Sequence, residues 1–291
     1  MLNTMSAKNF IYAVLVVLIS SVTGHAQSAN LRDEQPQVPV EEIIRKFSER
    51  EREFRIARAN YTYRQEVSVQ ELNGNDRVMG EYRVTSDITF DPTGKRTEKI
   101  VFAPANTLKN IGLTAQDLQD IREIQPFVLT SDDIYKYDLK YAGKEKIDEI
   151  DCYVFEVVPK KIEKDQRYFQ GQIWVDDQDL QIVKTYGKAV PDIKEKGKEN
   201  LFPRFETYRE QIDAYWFPTY TKAVDTLQFS SGPQRMRQII KYDKYKKFEA
   251  DVKLTFGDAV DGAGVDQAPS TNRRAPALDP KLNEPRTQRK R

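Results

Sequence analysis

Apolar and polar residues alternate with a period of two along much of the chain, which predicts antiparallel β-strands with one buried and one wet face. The first such stretch is Tyr61–Val69, and the second runs from Tyr82 to Phe90. A third predicted strand is Arg96–Phe102. Turn-forming residues at 73–76 and 91–94 separate these strands, so we predict a β-meander in this region.

The middle of the chain, Asp151–Val190, predicts a second meander, and we expect the rest of the chain to extend its sheet. Short polar links separate its strands, and short links join antiparallel neighbours because parallel strands need long crossovers. The tightest link is 176–179, where aspartates suit a turn. The predicted strands, with the one that leads into them, are Leu139–Ile147, Cys152–Pro159, Tyr168–Asp176 and Leu180–Gly187.

Three later stretches complete the strand pattern after a charged loop at 191–200. They are 201–212, Trp216–Leu227 and Gln234–Phe248, and Val252–Phe256 adds a short one. Pro218 indicates an edge or a bulge, because proline cannot donate a ladder hydrogen bond.

Two segments change to helical spacing. Val40–Ala59 places Ile43, Ile44, Phe47, Phe54 and Ala57 on one apolar face, and we expect its charges on the other face. Thr114 and Asp117 resemble a capping box that opens a short helix ending near Ile124. An open sheet of about ten strands tends to curl. We therefore predict a mainly β (α+β) fold, in which a long curled antiparallel sheet of about ten strands forms an incomplete β-barrel, with both helices packed on its concave side.

The ends of the chain predict export and a polar tail. Lys8 precedes the apolar run Phe10–Val22, and small residues then favour cleavage after Ala26. An uncleaved anchor is the alternative, but this run of about thirteen residues is shorter than the ~20 that span a bilayer. We interpret residues 1–26 as a signal peptide, 27–39 as a flexible leader, 40–256 as one domain and 257–291 as a disordered, basic-ended tail.

Charge and residue counts exclude several functions. Cleavage would remove one basic residue, Lys8, and no acid, which leaves 45 basic and 45 acidic side chains, so no basic excess points to nucleic acid. The only histidine, His25, would be removed with the signal peptide. The mature protein would then have no imidazole for a catalytic triad or for a zinc site of the common types. The only cysteine is Cys152, which excludes an internal disulfide. We expect it to be a small buried residue, with a reactive thiol as the alternative.

Other chemical signals are weak. The aspartates at 176–179 lack the length, central glycine and final glutamate of an EF-hand loop. Gly171 and Gly187 lie in strands and match no phosphate loop. We find no carboxylate pair singled out by context, so we predict no enzyme activity, no metal and no cofactor.

The chain resembles the LolA/LolB-like outer-membrane lipoprotein-sorting proteins. The resemblance covers residues 40–256 and rests on the export signal, on YTYRQEVSVQ after the first helix, on CYVFEVVPK and above all on GQIWVDDQDLQIVKTYG. The strand, turn and strand of that last motif look like a hairpin of the family. Similar half-barrels occur in the RseB family of periplasmic regulators. These motifs are structural rather than catalytic.

The resemblance implies a periplasmic, monomeric carrier whose apolar cavity takes acyl chains of a lipid or an acylated lipoprotein, with a delivery partner at the inner or outer membrane. Family members use a cavity arginine, and Arg204 between two phenylalanines is our candidate, with an ordinary surface arginine as the alternative. Trp174 has apolar neighbours on both sides in its strand, so that strand should be buried on both faces or face a lined pocket. The predicted ligand-binding residues are Phe127, Trp174, Phe202, Arg204, Phe205 and Trp216.

Two other functions stay open. The same fold could serve a regulatory or scaffold protein that binds a protein partner, for example by adding a strand at a free sheet edge. A histidine-free hydrolase is the third hypothesis. A deep apolar cavity favours the carrier, a filled half-barrel favours the regulator, and two close carboxylates in a polar cleft favour the hydrolase.

Overall fold

The computed structural model describes residues 30–91, 94–195 and 198–248. Within these ranges the chain forms one ten-stranded antiparallel sheet, one small hairpin and two α-helices. The predicted cleavage after Ala26, the short strand Val252–Phe256 and the tail 257–291 lie outside the described residues. Neither described α-helix combines the length and apolar character that a bilayer span requires.

The predicted mainly β fold is confirmed. The sheet order is β3-β2-β1-β12-β11-β10-β7-β6-β5-β4, and β8 pairs only with β9 in the hairpin, which replaces part of the charged loop expected there. The elements are α1 (Val40–Ala57), β1 (Tyr61–Leu72), β2 (Val78–Phe90), β3 (Arg96–Phe102), α2 (Ala115–Glu123), β4 (Tyr137–Ile147), β5 (Ile150–Pro159), β6 (Tyr168–Asp176), β7 (Ile182–Val190), β8 (Ile193–Glu195), β9 (Lys198–Asn200), β10 (Phe205–Ile212), β11 (Tyr215–Phe229) and β12 (Gly232–Lys247).

Two long-range pairings join three meanders into one sheet. The first meander is β1 to β3, the second is β4 to β7 and the third is β10 to β12. Val67 of β1 pairs with Ile240 of β12, and Phe205 of β10 pairs with Gly187 of β7. The third meander therefore lies between the other two, although it comes last in the chain.

The sheet curls until its two edges face the same space. A flat sheet with ten strands about 4.8 Å apart would hold its edge strands roughly 43 Å from each other. Instead, Arg96 of edge strand β3 and Tyr137 of edge strand β4 line one cleft. The sheet is therefore an incomplete barrel, open between β3 and β4.

Helix α1 packs its apolar stripe into the main core, but its charges do not all lie on the other face. Ile43 and Phe47 are fully buried and share one cluster with residues of β1, β5 and β12. Glu51 lies on the same stripe and has no exposed surface, so the expected separation of apolar and charged faces is wrong at this position. The predicted capping box of α2 is confirmed at Thr114 and Asp117.

Strand β6 is buried on both faces, as the sequence predicts. Ile173 and Val175 belong to the main core. Trp174 points to the opposite face, where it packs in a second cluster with Cys152, Val154 and Val183. A single strand therefore connects two apolar layers.

Pro218 lies at a bulge. The pairing of β10 with β11 shifts register where Tyr208 pairs with Tyr220 and Arg209 pairs with Pro218. Strand β11 is inside the sheet, so the bulge rather than an edge position accommodates the proline.

The segment before α1 covers part of the β4 edge. Arg32 and Lys144 exchange two backbone hydrogen bonds of 2.8 and 2.9 Å, and the Tyr141 hydroxyl donates to the carbonyl oxygen of Glu34. Gly143 permits this approach because it has a φ of +136° and because a β-carbon there would overlap the Arg32 carbonyl oxygen.

Candidate functional site

A large cleft occupies the gap between the two sheet edges. Its volume is about 1020 Å³, at the upper end of the roughly 300–1,000 Å³ typical of small-molecule sites. The C-terminal end of α1, strands β1 and β3, the segment after α2, the start of β4, and strands β11 and β12 all contribute side chains to it. Residues far apart in the sequence therefore meet here because the sheet curls.

Aromatic side chains form one wall of the cleft. The rings of Phe54 and Phe217 meet edge to face at 5.0 Å, and those of Tyr63 and Tyr245 stack at 5.1 Å. Phe217 and Tyr245 join the two pairs at 4.8 Å. The Tyr245 hydroxyl donates to the carbonyl oxygen of Pro218 at 2.6 Å, and burial raises its pKa so that it stays neutral.

Charged side chains form a large part of the remaining lining, and basic residues outnumber acidic ones by seven to four. Near the β3 edge, Glu98 accepts a hydrogen bond from Arg96 at 2.9 Å and forms an ion pair with Arg122 at 3.1 Å. Burial disfavours the Glu98 charge, but the bonds from Arg96 and Ser86 prevail and lower its pKa. The charged lining residues are Arg55, Arg58, Lys95, Arg96, Glu98, Arg122, Glu123, Asp133, Lys136, Glu163 and Arg167.

A buried ion pair lies beside the aromatic wall. Arg209 donates to both carboxylate oxygens of Glu51, at 3.0 and 3.1 Å, and also to the carbonyl oxygen of Phe127. Glu51 accepts a further bond from the Ile182 N–H, and burial raises its pKa despite these partners. The pair ties α1 to β7, to β10 and to the segment that carries Phe127, and the guanidinium lies 5.3 Å from the Phe54 ring.

A second buried polar network fixes α2 beside the cleft. Arg167 donates through two nitrogens to Asp120, at 2.9 and 2.7 Å, and these side chains are 7% and 1% exposed. Asn200 of the small hairpin donates to Asp117 at 2.6 Å and also accepts from Arg167. Helix α2 is therefore attached to β9 and to Arg167, the residue just before β6.

A smaller cavity lies on the other side of α2. Ile121, Phe202, Leu227 and Met236 contribute to its apolar lining. Its volume of about 30 Å³ leaves room for roughly one or two water molecules. We therefore place the candidate site in the large cleft.

The structure disperses the six residues predicted from the sequence. Phe127 lines the large cleft and Phe202 lines the small cavity. Phe205 is fully buried with its ring centroid 6.0 Å from that of Phe169. Trp174 and Trp216 pack in the second apolar cluster, away from the cleft, and Arg204 is exposed, with its backbone N–H bonded to Asp225.

The cleft residues that the sequence analysis missed include Arg58, Tyr63, Arg96, Phe217 and Tyr245. A signal for Arg58 was present, because positions 47, 51, 54 and 58 recur at helical spacing. Phe47 and Phe54 fill two of those positions. The other two carry charges on the face that turns toward the sheet, and such charges have a structural or binding role because burying them is costly.

The described residues contain no group of three or more histidine, cysteine, aspartate or glutamate side chains arranged to hold a metal ion. Cys152 is fully buried, as predicted, and burial raises the pKa of its thiol. At neutral pH the thiol is therefore protonated and shielded from solvent.

Comparison with protein families gives a match over part of the domain. A family model described as "Uncharacterized protein" matches residues 123–247, which is less than half of the chain. No curated protein matches.

Several solved structures resemble the fold. A DUF1329 family protein from Desulfovibrio piger is 18% identical, with a TM-score of 0.38, over 75% of this chain and 95% of that one. A LolA superfamily protein from Nitrosomonas europaea is 14% identical, with a TM-score of 0.33, over 73% and 94%. The MucA/MucB complex of Pseudomonas aeruginosa is 12% identical, with a TM-score of 0.19, over 68% of this chain and 98% of that one. At TM-scores this low, these likenesses assign no ligand and no residue role to this chain.

Proposed function

We propose that the protein is a non-catalytic periplasmic carrier that binds acyl chains of a lipid or an acylated lipoprotein in the large cleft. The observation that carries this proposal is a space of about 1020 Å³ between the sheet edges, with an aromatic wall along one side. Each methylene moved out of water contributes about 0.8 kcal/mol. A long acyl chain therefore gains enough free energy to need a carrier in an aqueous compartment.

The proposal includes export, with residues 1–26 as the signal peptide, and a role of the outer-membrane lipoprotein-sorting type. The sequence motifs quoted above support that type, and the open sheet over two helices is the architecture that they imply. Of the residues predicted from the sequence, Phe127 is our candidate for direct contact with the acyl chain, because this residue lines the cleft.

Native mass spectrometry of the mature protein, purified from its own periplasm without detergent, tests the proposal. We expect an additional mass that matches a lipid or an acylated peptide. A bare protein that instead carries one stable protein partner would contradict the carrier function and favour a regulator.

Filling the cleft gives a second test. Val128→Trp places a large ring in the cleft lining, and we expect at least about tenfold weaker binding of a fluorescent fatty acid, roughly 1.4 kcal/mol. Val224→Trp is the matched control, because Val224 is 51% exposed and lies outside the cleft. Equal binding by both variants would place the acyl chain elsewhere.

One observation favours a protein partner as the second candidate function. On edge strand β3, Ile100, Val101 and Phe102 are 60%, 43% and 54% exposed. Among the described residues, no strand pairs with the outer side of β3. An extended segment of another protein could add to this edge.

This second function predicts the effect of a charge on the edge. Val101→Lys should abolish recovery of a protein partner in pull-down from the periplasm, because an edge lysine opposes strand pairing. The same variant should leave fatty-acid binding unchanged. Retained partner binding would exclude β3 as the docking edge.

A further inference from the structure

We propose that Arg58 makes the large cleft selective for amphiphiles with an anionic head, such as a carboxylate or a phosphate ester. This inference rests on the acyl-binding function proposed above and adds the chemical class of the ligand. It starts from a charge that the cleft leaves unpaired.

Arg58 differs from the other arginines of the cleft. Arg96 and Arg122 share Glu98, Arg167 binds Asp120, and Arg55 binds both Asp132 and Asp133. Across residues 30–91, 94–195 and 198–248, by contrast, the Arg58 guanidinium has neither an ion pair nor a hydrogen bond, although it lines the cleft.

The surroundings of Arg58 make it costly to leave the positive charge of this residue without a partner. Burial lowers the pKa of its guanidinium, and the like charges of Arg209 and Arg55 act in the same direction. Tyr63 and Glu51 oppose this effect. Of the two, only Glu51 is a carboxylate, and both of its oxygens already accept bonds from Arg209. An oxyanion beside Arg58 would therefore supply a charge that the protein itself does not provide.

The position of Arg58 also suits an amphiphile rather than a free ion. The aromatic wall of Phe54, Tyr63, Phe217 and Tyr245 lines the same cleft. An acyl chain can lie against these rings while its head reaches the guanidinium. The basic excess of the lining adds a long-range attraction for anions.

A matched series of dodecyl compounds tests the inference by isothermal titration, below their micelle concentrations. We expect laurate and dodecyl phosphate to bind about ten- to a hundredfold more tightly than neutral dodecanol, the range for one charge-assisted hydrogen-bonded contact. Arg58→Met should remove this preference while dodecanol still binds. Arg58→Lys should restore part of it, and thermal unfolding of both variants checks that they fold.

Arg77→Met is the control, because Arg77 is exposed and lies outside the cleft. It should keep the full preference for anionic heads. Higher salt should weaken the binding of laurate and dodecyl phosphate more than the binding of dodecanol, because salt screens charge.

The other outcomes separate the inference from the proposed function. Equal affinity for all three compounds, or a preference that survives Arg58→Met, would overturn the anionic-head inference but leave acyl binding intact. Failure of all three to bind would overturn both. If inorganic phosphate alone bound as tightly as dodecyl phosphate, the site would recognise a free oxyanion, and the amphiphile inference would be wrong.

Discussion

Glu51→Ala is expected to lower the free energy of unfolding by about 3–5 kcal/mol, because it leaves the Arg209 charge buried without its partner. Arg209 is 1% exposed at its side chain and Glu51 is 0% exposed. The change also removes the acceptor of the Ile182 N–H. Chemical denaturation with urea measures the loss.

Glu49→Ala is the matched control on the same helix, since Glu49 pairs with Arg45 at the surface and its side chain is 54% exposed. Its expected cost is below about 1 kcal/mol. The double variant Glu51→Met, Arg209→Met should lose less than Glu51→Ala, because it removes both charges. Equal losses for the Glu49 and Glu51 variants would show that the buried pair contributes little.

Gly171→Ala is expected to destabilise the fold by about 3 kcal/mol or more, because it overpacks a close contact between two strands. A β-carbon at Gly171 would overlap the Tyr186 carbonyl oxygen and lie 2.5 Å from the α-carbon of Gly187. These atoms belong to the backbone of β7, so relief requires β6 and β7 to separate.

Gly74→Ala tests whether this loss is specific, because nothing lies within 4 Å of a β-carbon at Gly74. Its free energy of unfolding should change by no more than an ordinary surface substitution does, about 0.5 kcal/mol. A similar small loss for Gly171→Ala would mean that the two strands can move apart easily.

Strand positions were predictable from the sequence because burial on one face imposes a period of two. The prediction for β3, Arg96–Phe102, matches the structure residue for residue. The order of the strands in the sheet was harder to predict from the sequence. The pairing of β1 with β12 joins residues that are more than 160 positions apart, and no local pattern records it.

The cleft was harder to predict than the fold, because strand β6 is apolar on both faces. The sequence showed that Trp174 would be buried but gave no sign of which face would turn toward the cleft. At Arg204 the period of two did carry information: Phe205 is buried, so its neighbour in an extended chain points the opposite way. We chose Arg204 because Phe202 and Phe205 flank it, and we did not apply the alternation to its own side chain.

The unequal edges of the sheet limit how copies of this protein can associate. The backbone of Arg32 occupies β4 at Lys144, whereas β3 accepts no strand within the described residues. Edge-to-edge polymerisation needs two open ends on each molecule, as in a growing filament. Because β4 is covered at Lys144, pairing between copies through their β3 edges gives a closed twofold dimer rather than a growing filament.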